Sequence, residues 1–146
     1  MPQVYNDFKR AISASLNVGA GSGTNPMQVY CMLVGALYTP DVDTHVYRSS
    51  VDNEITGTYN AGGFALSSPV FSTNNTSNRG VFDAADVFLA TVTFNTTPVA
   101  AVLYGSSGLG AASDPLIVYV ELVGSAAVTA ATFQIQFSAD GVFYLT

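Results

Sequence analysis

The chain has 146 residues, four basic and ten acidic side chains, a single histidine, a net charge of −6 and a pI near 4.2. That length fits one domain with one hydrophobic core and no need for disulfide staples. Lys9, Arg10, Arg48 and Arg79 are too few to neutralise a run of phosphates, which argues against nucleic-acid binding, and so few ionisable groups leave little material for catalysis.

Asn6 stands at the head of a helical pattern over residues 7–16, where Phe8, Ile12 and Leu16 recur every fourth position and acid precedes base. The run Gly19-Ala20-Gly21-Ser22-Gly23-Thr24-Asn25-Pro26 then breaks it. With no Lys-Ser/Thr pair after that run and no strand before it, a phosphate-cradling loop is not expected. The pattern therefore divides the chain into an N-terminal helix with a Gly-rich arm over 1–26 and a β domain over 27–146. The first residues lack the basic-then-apolar order of a secretory signal, and no apolar run reaches the roughly 18 to 20 residues of a membrane helix.

From Met27 onward short apolar runs alternate with turn residues at the spacing of a sandwich or barrel. Strands are predicted over 27–33, weakly over 46–51, then over 64–71, 80–82, 86–94, 99–104, 116–122, 132–137 and 142–145. Phe133, Ile135 and Phe137 alternate with Thr132, Gln134 and Gln136, so one face of that strand is core. Leu116-Ile117-Val118-Tyr119-Val120 is apolar on both faces and reads either as a central strand or as one covered by another subunit. Asp140-Gly141 reads as a hairpin turn between the last two strands. Residues 72–78 and 105–113 are polar or Gly-rich and read as exposed loops. The fold class is all-β: an antiparallel β-sandwich or jelly-roll-like module with a short N-terminal helix.

Cys31 is alone, so no internal disulfide forms, and it lies in an apolar run as a core residue rather than a nucleophile. Asp41-Val42-Asp43-Thr44-His45 and Asp83-Ala84-Ala85-Asp86 gather acids, but an EF-hand's central glycine and terminal acid are missing. Asx turns, in which a carboxylate accepts backbone N–H bonds, are the expectation there. Neither a Gly-x-Ser-x-Gly elbow nor a His-Glu-x-x-His helix occurs, and no catalytic residue, metal ligand or cofactor site is assigned. The glycosylation sequons at Asn74, Asn75 and Asn95 are read as chance. Most of the eight tyrosines and nine phenylalanines fall at core positions of strands, whereas Tyr5, Tyr38, Tyr47 and Tyr59 lie near loops where a partner could reach them. Tyr38, Tyr47 and Tyr59, together with Phe8 and Ile12 of the helix, are the candidate partner-binding residues.

A hydrophobic fraction of 49% and a mean hydropathy of +0.34 suggest apolar surface covered by a partner, the rival explanation being an Ala- and Val-rich core. The ordered landmarks Tyr38-Thr39-Pro40-Asp41-Val42-Asp43-Thr44-His45, Glu54-Ile55-Thr56-Gly57-Thr58-Tyr59-Asn60-Ala61-Gly62-Gly63 and Phe82-Asp83-Ala84-Ala85-Asp86-Val87 come first. Ala101-Val102-Leu103-Tyr104, Pro115-Leu116-Ile117, Phe133-Gln134-Ile135-Gln136-Phe137 and Gly141-Val142-Phe143-Tyr144-Leu145-Thr146 follow. Over residues 28–146 this order resembles a family of small structural proteins of tailed bacteriophages, similar to capsid decoration, or cement, proteins. The resemblance implies a non-enzymatic virion protein, assembled in the host cytoplasm, that binds the major capsid protein as a homo-oligomer, a trimer ahead of a dimer. It implies no nucleic-acid or membrane partner. The alternative is a tail or fibre-associated structural or receptor-binding module.

Overall fold

The computed structural model describes residues 2–13 and 28–145, the side chains of 11–13 excepted. Its elements in chain order are β1 (Gln3–Val4), α1 (Asn6–Ser13), β2 (Gln28–Val34), β3 (Phe64–Ala65), β4 (Val70–Asn74), β5 (Arg79–Asp83), β6 (Val87–Val92), β7 (Ala100–Ser106), β8 (Leu116–Glu121), β9 (Ala131–Ile135) and β10 (Phe143–Leu145). They form a five-stranded sheet in the order β1-β8-β7-β2-β3, a three-stranded sheet β10-β5-β4 and a pair β6-β9, antiparallel throughout. An all-β, sandwich-like architecture with one short helix is the result.

Ala100, Ala101, Val102, Leu103 and Tyr104 are apolar and buried at every position, which a strand achieves only when both its faces are covered. In register, Leu103 faces Cys31 on one side and Val118 on the other, while Val102 faces Met32 and Tyr119. One face of this sheet looks toward the smaller sheets. On the other, Tyr38 packs on Tyr119 and Arg48 lies 5.0 Å from the Tyr104 ring, while residues 53–55 run along the edge of β2. The two-sided run in β8 is thus explained within the chain: β8 lies between β1 and β7, and Leu116, Ile117, Val118 and Tyr119 are all buried.

Aromatic contacts join the layers. Phe71, Phe82 and Phe143 face one another across β4, β5 and β10, and Phe8 of α1 meets Phe143 edge-on at 6.1 Å. A second series runs from Phe64 through Tyr59 and Phe94 to Phe133. Each edge-on pair adds about 0.5–1.5 kcal/mol to the apolar burial itself. Gly63 sets the approach of β3 to β2: its φ is +85°, and a Cβ there would stand 2.0 Å from the Cys31 carbonyl oxygen.

Several sequence expectations change. Residues 46–51 are not a strand, because Tyr47 makes only a single bridge to Pro115 and Arg48–Ser50 close a 3₁₀ turn. The run 64–71 is broken at Ser68, with φ +52°, and at Pro69, which offers no N–H to a ladder. Ser72, Thr73 and Asn74, expected in a loop, extend β4 against Gly80 and Arg79, leaving only 75–78 as the turn. The Asp140-Gly141 turn forms, with Gly141 at φ +96°, yet it does not make a hairpin: β9 pairs with β6 and β10 with β5.

The N-terminal segment also differs from a separate arm. Gln3 and Val4 pair with Tyr119 and Val118, the Tyr5 amide donates to the Ile117 carbonyl at 3.1 Å, and Tyr5 and Phe8 are buried. Asn6 is a helical residue whose side chain bonds Asp43 and Lys9 rather than capping. The expected extension of the helix to Leu16 and the Gly-rich stretch 19–26 lie outside the described residues.

Candidate functional site

The first acidic cluster is built as a turn. Asp41 Oδ1 accepts the amides of Asp43 at 3.0 Å and Thr44 at 3.1 Å, and these bonds, with one from the Thr44 side chain, hold its carboxyl below the usual range. This turn receives the N-terminus: the Asn6 amide donates to the Val42 carbonyl, and Asn6 Nδ2 donates to Asp43 Oδ1. Beneath it Tyr5 and Tyr38 share a hydrogen bond of 2.9 Å, and the Tyr38 hydroxyl lies 3.1 Å from His45 Nδ1. Desolvation raises both tyrosines, so they remain neutral hydrogen-bonding groups. At the second cluster Asp83 Oδ1 accepts the Ala84 amide and Asp86 Oδ1 the Phe137 amide, each at 2.9 Å. Among the described residues no group of three or more His, Cys, Asp and Glu side chains is arranged to hold a metal ion.

The one buried charge among the described residues, Asp114, is equally occupied. Asp114 receives Arg48 Nε at 3.1 Å on one oxygen and both the amide and the hydroxyl of Ser107 on the other. It is 3% exposed and anchors the base of the 105–113 loop, whose tip, Leu109, is open to solvent. Above it the Tyr104 hydroxyl, pushed up to about 12 by burial, donates to the Gly62 carbonyl. Glu54, raised by burial, accepts the Gly62 amide at 2.6 Å. These groups tie segment 35–63 onto the sheet. Cys31 is fully buried and desolvation raises its thiol, which removes the thiolate that nucleophilic chemistry needs.

A groove of about 800 Å³ opens between β9, β10 and the segment 120–128. Its floor is apolar, with Ala101, Val120, Phe133, Ile135 and Phe143, and its rims carry Gln134, Gln136, Glu121 and Asp140. Ser125 Oγ, in its wall, is buried without a hydrogen-bond partner. Such a site offers shape, apolar surface and hydrogen-bond acceptors to a ligand.

The residues expected to meet a partner fall unevenly. Phe8, Tyr38 and Tyr59 are core: Phe8 lies on Phe143, Tyr38 on Tyr119, and the Tyr59 hydroxyl accepts the Leu33 amide at 2.9 Å. Tyr38 and Tyr59 lie in the long segment between β2 and β3, and the packing of that segment buries both rings. Tyr47 is 42% exposed, and the side chain of Ile12 lies outside the described residues. Sequence reasoning passed over the groove, because an Asp140-Gly141 hairpin would have paired β9 with β10 and closed it. The signal was present: Ser138 and Ala139 separate the strand predicted over 132–137 from the Asp140-Gly141 turn, so the connection is longer than a two-residue hairpin loop. No family model, curated protein or solved structure matches the chain.

Proposed function

We propose that this chain is a non-enzymatic virion structural protein of a tailed bacteriophage that decorates the capsid and cements neighbouring subunits of the major capsid protein. The observation that carries this reading is the order of landmark segments across residues 28–146. Their positions suit an architectural task. Tyr38 to His45 seats the N-terminus, Glu54 to Gly63 straps the large sheet, and Phe82 to Val87 joins the two smaller ones.

The charged side chains that a catalyst would need are committed to turns and to the Arg48–Asp114 pair, which supports adhesion over chemistry. Homo-oligomerisation belongs to the same reading, with exposed Leu37, Phe88, Leu109 and Val123 as the apolar surface available for it. The covered face of β8 no longer contributes, since the chain buries it itself.

Electron cryomicroscopy of intact particles tests the proposal. Density for the chain on the outer head surface, bridging capsid subunits, is expected. Density on the tail or its fibres would overturn it in favour of the tail-associated module, and absence from particles would overturn both.

A further inference from the structure

Residues 132–137 all border the groove, those that point into the core, Phe133 and Ile135, together with those that point outward, Gln134 and Gln136. Successive side chains of a strand alternate between faces, so only an edge presents consecutive residues to one cavity. One edge of β9 is occupied by β6; the groove therefore lies along the other. The opposite wall repeats the pattern. Val142, Phe143 and Tyr144 border the groove consecutively, and among the described residues β10 is paired only with β5.

Two strand edges without a neighbour thus flank an apolar floor. The Phe137 amide turns toward β6, where Asp86 accepts it, and by alternation the amide and carbonyl of Gln134 face the groove. A five-residue strand such as β9 offers about 17 Å of edge. An unpaired edge of this kind is a template for one more strand. Among the described residues the charged groups bordering the groove are Glu121 and Asp140; Asp140 is paired with Arg79 at 4.0 Å, whose guanidinium lies 4.2 Å over the Tyr144 ring, so Glu121 is the carboxylate the rim offers to a cation. A second copy would bring a net charge of −6 to an acidic rim.

We propose that the slot between β9 and β10 binds an extended segment of a partner protein by β-augmentation, the segment alternating apolar with polar residues and carrying Lys or Arg at one end. Its backbone completes the ladder on β9, its apolar side chains rest on the floor formed by Phe133, Ile135 and Phe143, and a basic end meets Glu121. The proposal stands on the groove alone and does not require the capsid reading.

Fluorescence anisotropy with a labelled synthetic peptide of Val-Thr repeats flanked by lysines tests it, using the full chain. Gln134→Pro removes the amide aimed at the groove while leaving the alternate positions that pair with β6, and Gln134→Ala keeps that amide. Saturable binding to the wild type and to Gln134→Ala, weakened at least about tenfold in a folded Gln134→Pro, is the expected result. No saturable binding by the wild type, or equal affinity in a folded Gln134→Pro, overturns the proposal. Should Gln134→Pro fail to fold, Glu121→Gln decides. Several-fold weaker binding supports the proposal; unchanged affinity, together with equal affinity for a Glu-flanked peptide, overturns it. Self-association of the wild type that a folded Gln134→Pro abolishes would also overturn it, assigning the slot to a second copy.

Discussion

β7 and β9 are strands of similar apolar content placed in opposite circumstances. β7 has a hydrogen-bonded neighbour on each side and cover on both faces, so every residue from Ala100 to Tyr104 is buried. β9 has one neighbour, one buried face and an open edge above an apolar groove. The backbone groups of β7 are satisfied inside the molecule, whereas half of those in β9 still face outward. Stability therefore resides in the five-stranded sheet, and capacity for recognition resides in the β9–β10 wall.

The comparison breaks first at the N-terminus, which supplies β1 to the large sheet. Deleting residues 1–13 removes β1 and the fully buried Tyr5 and Phe8. Loss of each large aromatic costs about 3–5 kcal/mol. Against a total stability of about 5–15 kcal/mol, the truncated chain is expected to be largely unfolded at 25 °C, without near-ultraviolet dichroism or a cooperative melt. A truncated protein melting within a few degrees of the full chain would restore the arm reading.

Single substitutions in the large sheet come next. Gly63→Ala places a methyl group against the Cys31 carbonyl at a positive φ, and Leu103→Ala leaves a cavity between Cys31 and Val118. Each is expected to cost about 3–5 kcal/mol in urea unfolding. Gln134→Ala and Val123→Ala, on the groove side, are expected to stay within about 0.5 kcal/mol of the wild type. Comparable losses in both sets would remove the distinction between a stabilising sheet and a recognising wall.

How much of this was legible depended on whether the deciding interaction was local. The alternation in Phe133, Ile135 and Phe137 and the continuous apolar run of β8 carry their strands in their side chains, and both strands form there. The acids of Asp41-Val42-Asp43-Thr44-His45 bond amides two and three residues away, and that Asx turn also forms. Partner choice was not local. Asp140-Gly141 specifies a turn but not which strands it joins, and the burial of Tyr38 and Tyr59 depends on the packing of the 35–63 segment. Tyr5 illustrates the same limit, since its burial is set by Ile117 and Tyr38, both distant in sequence.

Tyr38→Phe sharpens the comparison at smaller scale. It keeps the ring on Tyr119 but removes the hydroxyl that the buried Tyr5 hydroxyl bonds at 2.9 Å. An orphaned buried hydroxyl costs about 1–3 kcal/mol, so urea midpoints should fall accordingly. Tyr5→Phe with Tyr38→Phe together should cost less than the sum of the two single changes, because the pair is then removed as a unit.

The smallest effect concerns the turn that seats the N-terminus. Asp41 is fully exposed, so solvent screens its contribution, but its carboxylate holds the Asp43 and Thr44 amides and its pKa lies below the ordinary 3.8. A carboxyl with a lowered folded pKa adds stability that is present above its unfolded value and is lost as pH falls through the folded one. Asp41→Ala is therefore expected to lower the melting temperature by about 1–2 °C at neutral pH, and the gap should close as the pH drops below 3.8. Melting curves for the two proteins from pH 7 down to the onset of acid unfolding measure it. A gap that persists unchanged to the lowest folded pH would mean that the turn is held by its backbone and by Asn6, with the ionised carboxylate adding nothing.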